Sequence, residues 1–356
     1  MQVLRRVVRG TDNFQRKHPV LGFPLGVIYK YFDDQGPYLG AIIAYHSFVA
    51  VFPLLLIGSS ILGFVLQGNP ELQERLLDTA LAQFPIVGDQ LGRPEGIKGS
   101  ASAIVVGSLA AAYGCLGVGQ STQNASNVAW AVPRNSRPNP IIIRLRSLVL
   151  LAMAGGGILL IAVVQVLVDN THLFGTAASG TNISRLVRLL GFAMSVGIFA
   201  AVFKFVSLRR ARWLDVLPGA VVCALGWILL QVIGSVFVDM VVIRVSTMNQ
   251  TFALVLGLIV FLYAFAAVIV LGLQVNVVGR RKLYPRALLT PFSDRVSLTE
   301  GDRRAYRQYA RSQRYKGFQT IEVSFDGDDF EPTVQLDAIR PPKGRKLHSK
   351  RGRDSG

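Results

Sequence analysis

Apolar residues run in six long blocks, at 38–66, 100–125, 147–168, 186–205, 216–238 and 252–278, with polar segments between them. An α-helix needs about 20 apolar residues to cross a hydrocarbon core about 30 Å thick, and every block reaches that length. None carries Asp or Glu near its centre. The pattern predicts an all-α, polytopic membrane protein with six transmembrane helices. Composition agrees: 51% of residues are hydrophobic and 17% charged, with a mean hydropathy of +0.41. A soluble globule of 356 residues does not read this way.

The net charge of +17 would suggest nucleic acid in a soluble chain, but here its distribution matters more. Arg5, Arg6, Arg9, Arg16, Lys17 and Lys30 precede the first block. Arg134, Arg137, Arg144 and Arg146 lie between the second and third, and Lys204, Arg209, Arg210 and Arg212 between the fourth and fifth. Arg280, Arg281 and Lys282 follow the sixth. The loop after the first block instead carries Glu71, Glu74, Asp78, Asp89 and Glu95. Under the positive-inside rule all these loops agree on six crossings with both termini cytoplasmic. That gives a cytoplasmic N-terminal segment (1–37), a six-helix membrane domain (38–279) and a basic, largely disordered cytoplasmic tail (280–356). The first 37 residues are too polar for a cleavable leader.

Three stretches outside the blocks carry a pattern of their own. Within 71–84, Leu72, Leu76, Leu77, Ala80, Leu81 and Phe84 recur at helical spacing between Pro70 and Pro85, which predicts an external amphipathic helix. Residues 27–32 read as an interfacial stretch, with Tyr29, Tyr31 and Tyr38 as headgroup-level anchors. Residues 303–314 read as a short basic helix suited to anionic lipid, while Asp326, Asp328, Asp329 and Glu331 give a solvated acidic patch. Nucleic acid is not expected, because no aromatic-interleaved basic platform appears.

Several polar groups fall where hydrocarbon penalises them. The first block holds Tyr45, His46 and Ser47, then Pro53, which removes a backbone donor and bends a helix. His46 is either a functional intramembrane group or a neutral histidine bonded to a neighbouring helix. The second block ends in an amide-rich run. Gln120, Gln123, Asn124 and Asn127 recur at three- and four-residue spacing. They either line a wet inner cavity or tie helices together. Gln274 and Asn276 close the sixth block. Trp130 and Trp213 read as inner-interface anchors, and Cys115 and Cys223, in different blocks, as packing residues.

The stretch 38–56, YLGAIIAYHSFVAVFPLLL, with Ala44, Tyr45, Phe52, Pro53 and Leu54, resembles the first-span signature of the YihY/BrkB family of bacterial inner-membrane proteins. Gln123, Asn127 and Trp130 are similar to that family's Gln…Asn…Trp. Trp213, Asp215, Leu217, Pro218, Gly219 and Ala220 resemble its W-x-D-x-L-P-G-A entry to span five. Leu271, Gly272 and Asn276 resemble its L-G-x-E-x-N, in which the Glu is replaced here by Gln274. The resemblance covers about residues 30–280. It implies a polytopic cytoplasmic-membrane protein for which envelope lipid transport and a ribonuclease label have both been advanced. Without the Glu, a proton-driven mechanism loses its obvious carboxylate.

The residues themselves favour a non-enzyme. His18, His46, His172 and His348 are scattered, and no carboxylate pair or metal-ligand spacing appears. No cofactor is implied. The expected partners are membrane lipids, anionic lipid at the basic tail, and a second copy or an envelope protein. Envelope lipid or amphiphile transport stands first among the readings. A membrane scaffold acting through the tail stands second, and a membrane-bound ribonuclease last.

Overall fold

The structure, a computed structural model, describes residues 19–65, 72, 75, 76, 79, 101–169, 181–207, 211–238, 240, 247–288, 290 and 297–325. The basic cluster before residue 18, most of 71–84, His172 and the acidic and basic end of the tail lie outside the described residues. Of the external amphipathic segment, Leu72, Arg75, Leu76 and Thr79 are described and helical, and the Thr79 hydroxyl donates to the Arg75 carbonyl. The chain divides into two units, Met1–Ile321 and Glu322–Gly356.

Among the described residues every regular element is helical. The α-helices are α1 (Pro19–Asp33), α2 (Gly36–Val65), α3 (Ala101–Ala129), α4 (Pro140–Asp169), α5 (Thr181–Val206), α6 (Trp213–Phe237), α7 (Thr247–Arg281) and α8 (Glu300–Ser312). Helices α2 to α7 correspond to the six apolar blocks. Among the described residues four stretches, Pro140–Val164, Arg188–Val206, Trp213–Phe237 and Phe252–Arg281, are long and apolar enough to cross a membrane, and Gly36–Val51 is a shorter apolar helix. Pro53 lies inside α2, which continues through it.

Successive helices run in opposite directions, as five ties at one end of the bundle show. Gln274, near the end of α7, donates to Asp34, just before α2. Arg281 donates to the Trp130 carbonyl just after α3. Gln123, late in α3, reaches Ile143 and Ser147 early in α4. Arg146 donates to the Phe205 carbonyl late in α5, and Asn276 accepts from Gly219 early in α6. Starts of even helices and ends of odd ones therefore share this end, called here the tail pole. The glycines repeat the pattern: a side chain at Gly257, early in α7, would strike Phe237 at the end of α6.

Small residues set how closely these helices approach. A Cβ at Gly114 would meet the Ala50 backbone, and one at Gly117 the His46 ring, so α2 and α3 pack nearly backbone to backbone. In α6, Val216, Gly219, Ala220, Cys223, Ala224, Trp227 and Leu230 are buried at three- and four-residue intervals, the face that meets α7. Both cysteines are free and buried.

Two regions differ from the sequence expectation. The stretch 27–32 belongs to a longer helix, α1, whose Lys30 is fully buried, and the Tyr29 hydroxyl donates to the Leu288 carbonyl instead of facing headgroups. The first part of the tail is folded: its described residues 283–288, 290 and 297–321, called here the strap, belong to the same unit as the bundle. The physical reason is ionic: Arg286, the largest fully buried side chain among the described residues, lies between Asp302 and Asp33. A charge so placed needs partners; α8 supplies one and α1 the other, which draws the tail onto the bundle. Helix α8 starts with a capping box in which Thr299 and Asp302 satisfy each other's backbone amides.

Candidate functional site: an apolar cavity beneath a polar pole

A cavity of about 190 Å³ lies between α2, α3, α4, α5, α6 and α7. Ser47, Thr122, Ala154, Ser195, Trp227 and Ala266 each represent one of those helices on its wall. Two of the three wall hydroxyls turn away from it: Thr122 donates to the Val118 carbonyl at 2.8 Å and Ser195 to the Gly191 carbonyl at 2.9 Å. The space is thus lined with hydrocarbon, as an apolar guest requires.

Above the cavity, toward the tail pole, the packing turns polar. Gln123 is buried and donates to Gly119, Ile143 and Ser147 at 3.0–3.1 Å, which fastens α3 to α4. Asn124 is exposed and accepts from Arg137 at 3.3 Å. Asn127 is buried with its Oδ1 unpartnered, and Gln120 is half-buried. The amide run therefore does not act as one face: one member is helix glue, one meets a loop arginine, and one is a buried group with spare capacity.

The motif residues of α6 and α7 form a joint. Asp215 accepts from the Arg212 amide at the start of α6 and pairs with Arg280 at 3.3 Å. Pro218 disturbs the turn before it, and the next amide, Gly219, donates to Asn276 Oδ1 at 2.7 Å. Side chains at Gly219 or Gly272 would run into the opposing helix, so both glycines are dictated by the crossing. Ala44 is buried on α2. Trp130 is buried too, with Arg281 over its ring at 5.7 Å, so it is no interface anchor. Trp213 is exposed, with Lys204 4.2 Å over its ring, as an anchor would be.

His46 packs between Tyr45 and Tyr113, at 5.1 and 5.4 Å, with its Nδ1 unpartnered. Tyr45 itself is exposed.

Sequence reading missed the charged lock at this pole. Lys30 is fully buried and pairs with Asp34, which also accepts from Gln274 at 2.9 Å. The carboxylate that position 274 lacks is thus met there from the α1–α2 turn. Burial pushes Asp34 up and Lys30 down, each against the pull of its partner. Tyr309 of α8 lies 4.8 Å from Lys30 through its ring and donates to Asp33. Burial opposes the charge on Arg286, yet Asp302 and Asp33 raise its pKa above the ordinary arginine range. The only sequence cue was two adjacent aspartates, Asp33 and Asp34, at the threshold of an apolar block.

An all-helical bundle with several apolar helices long enough to cross a bilayer, closed at one pole by a folded strap, defines a multi-pass membrane protein. The chain belongs to the family described as virulence factor BrkB, whose model matches residues 27–294. That match extends past α7 into the strap, so Arg286 falls within it. No curated protein and no solved structure matches the chain.

Proposed function

We propose that this is a six-pass protein of the cytoplasmic membrane, with both termini inside, that binds and moves an envelope lipid or other amphiphile. The observation that carries the reading is the apolar cavity between six helices. The cavity is open along part of its wall, so hydrocarbon can reach and cover its apolar lining. An apolar cavity of about 150 Å³ holds a benzene-sized guest, so this one suits a stretch of one acyl chain better than a whole lipid. The alternation of helix direction, with Arg134, Arg137, Arg146, Lys204 and Arg280 all on segments at the tail pole, supports the six-pass orientation.

A catalytic role is not proposed. The polar side chains on the cavity wall are the hydroxyls of Ser47, Thr122 and Ser195 and the indole of Trp227, with no acid–base pair among them. Among the described residues, no three His, Cys, Asp or Glu gather as a metal site. The scaffold alternative draws on the separate unit that begins at Glu322.

The test is lipid movement in reconstituted vesicles, read with a headgroup-labelled phospholipid and an impermeant quencher. Wild type should expose both leaflets to quenching. Ala154→Phe, which fills the cavity from α4, should slow that movement, and deletion of 322–356 should not. Vesicles that behave like protein-free ones, or movement indifferent to Ala154→Phe, would sink the reading. Loss of cellular function on deleting 322–356, with lipid movement absent throughout, would favour the scaffold.

A further inference from the structure

A line of positions one turn apart leads from the cavity to the tail pole. On α3, Val118 and Thr122 line the cavity, and Ser126 and Trp130 follow on the same face. On α7, Ile269 lines the cavity and Asn276 follows two turns later. The ends of both helices are held side by side by the bond from Arg281 to the Trp130 carbonyl. Both helices run toward that pole, so Ser126 and Asn276 sit at one level, about a turn below the bond.

These three residues lie beyond the cavity's own lining and share an unusual property, as do two acceptors close by in sequence, Asn127 Oδ1 and Gln274 Oε1. Ser126, Trp130 and Asn276 are 0%, 4% and 2% exposed, yet Ser126 Oγ, Trp130 Nε1 and Asn276 Nδ2 have no hydrogen-bond partner. Buried polar groups are nearly always paired, and an unpaired one costs about 1–3 kcal/mol. Two of the three are unambiguous donors. An indole nitrogen only donates, and the Asn276 amide is oriented by Gly219, whose N–H must face its oxygen. The Ser126 hydroxyl stays unpartnered although Ser121 and Thr122 on the same helix bond back to their own backbone.

We propose that Ser126, Trp130 and Asn276 form a donor collar for the uncharged, oxygen-bearing head of an amphiphile whose chain lies in the apolar cavity. The inference rests on the amphiphile reading above. A glycerol ester or a sugar supplies the required acceptor oxygens. A phosphate or carboxylate needs a spare cation, and the nearby cations are engaged. Lys30 pairs with Asp34, Arg280 with Asp215 and Arg286 with Asp302, while Arg281 donates to Gln308 and Trp130. Burying an anion without a counter-charge outweighs what a few neutral donors return.

The experiment uses the full chain in phosphatidylcholine nanodiscs, with Trp213→Phe to remove the exposed indole. Trp130 and Trp227 then remain, and the part of the quenching lost on Trp227→Phe is that of the cavity wall, which reports chain entry by brominated chains. The probes are brominated-chain monoacylglycerol, lysophosphatidylcholine and free fatty acid of one chain length. The monoacylglycerol should quench at a several-fold lower mole fraction than the other two. Ser126→Ala with Trp130→Phe should reduce that preference by about fivefold per donor lost. Asn276→Asp, which keeps the acceptor facing Gly219, should do so by a similar factor. Equal quenching by all three probes, or a preference unchanged in both variants, means that ordered water satisfies the donors and overturns the collar while leaving the cavity. No quenching of Trp227 by any probe overturns the cavity reading and the collar with it.

Discussion

Tyr309 shows how one half-buried hydroxyl couples the strap to pH. Burial, together with the nearby carboxylates of Asp34 and Asp33, raises its pKa above the ordinary value of 10.0. A group whose folded pKa is raised contributes stability that is complete below its unfolded value and lost as pH climbs past it. Docking of α8 should therefore weaken as pH rises above about 10. A tyrosinate absorbance titration of wild type minus Tyr309→Phe should show one hydroxyl ionising late; a difference curve centred at the ordinary value would contradict its docking beside Asp33 and Asp34. None of this was legible in sequence. Asp33 and Arg286 lie 253 positions apart, and periodicity within a helix carries no information about a pairing between helices so distant.

At the scale of elements, the sequence told most. Apolar runs of span length became α2 to α7, because length and hydropathy suffice to specify a helix in hydrocarbon. The ends shifted: the third block was read from residue 147, while α4 begins at Pro140, since Arg144 and Arg146 are compatible with a helix that emerges from the apolar layer. The amide run was read as one face, but its members serve different neighbours because α3 is surrounded. The strap and α1 were missed as packed elements for the same reason that Tyr309 was. Glycines sort clearly at this scale. Gly272→Val should abolish the α6–α7 joint and cut the yield of folded protein sharply, because its side chain would meet Cys223 and the Gly219 backbone. Gly155→Ala has open space around it and should be neutral or raise stability by about 0.5–1 kcal/mol. Thermal unfolding in one detergent checks both, and equal losses for the two would refute the packing of α6 on α7.

For the molecule as a whole, the open matter is which side of the membrane the tail pole faces. With the pole inside, a cysteine introduced as Arg137→Cys in a Cys115→Ala, Cys223→Ala background should resist an impermeant thiol reagent in intact cells. Asp78→Cys should label. The opposite pattern would invert the orientation and turn the collar toward the outer face. Family membership was legible from four short motifs, and the structure gives two of them a shared physical basis. Gly219, Gly272 and Asn276 are the parts of one helix crossing.

The lock at the tail pole also sets an order of manufacture. Asp33 is synthesised among the first helical residues, and its partner Arg286 follows 253 positions later. At about 5–20 residues per second, that separation is roughly 13–50 s of ribosome time. Through that interval α1 precedes a growing bundle with its one carboxylate, Asp33, uncommitted to the strap. The long helices α2 to α7 are therefore complete before the strap can fasten them, and a chain that ends just after Arg281 is a bundle whose pole has never been closed.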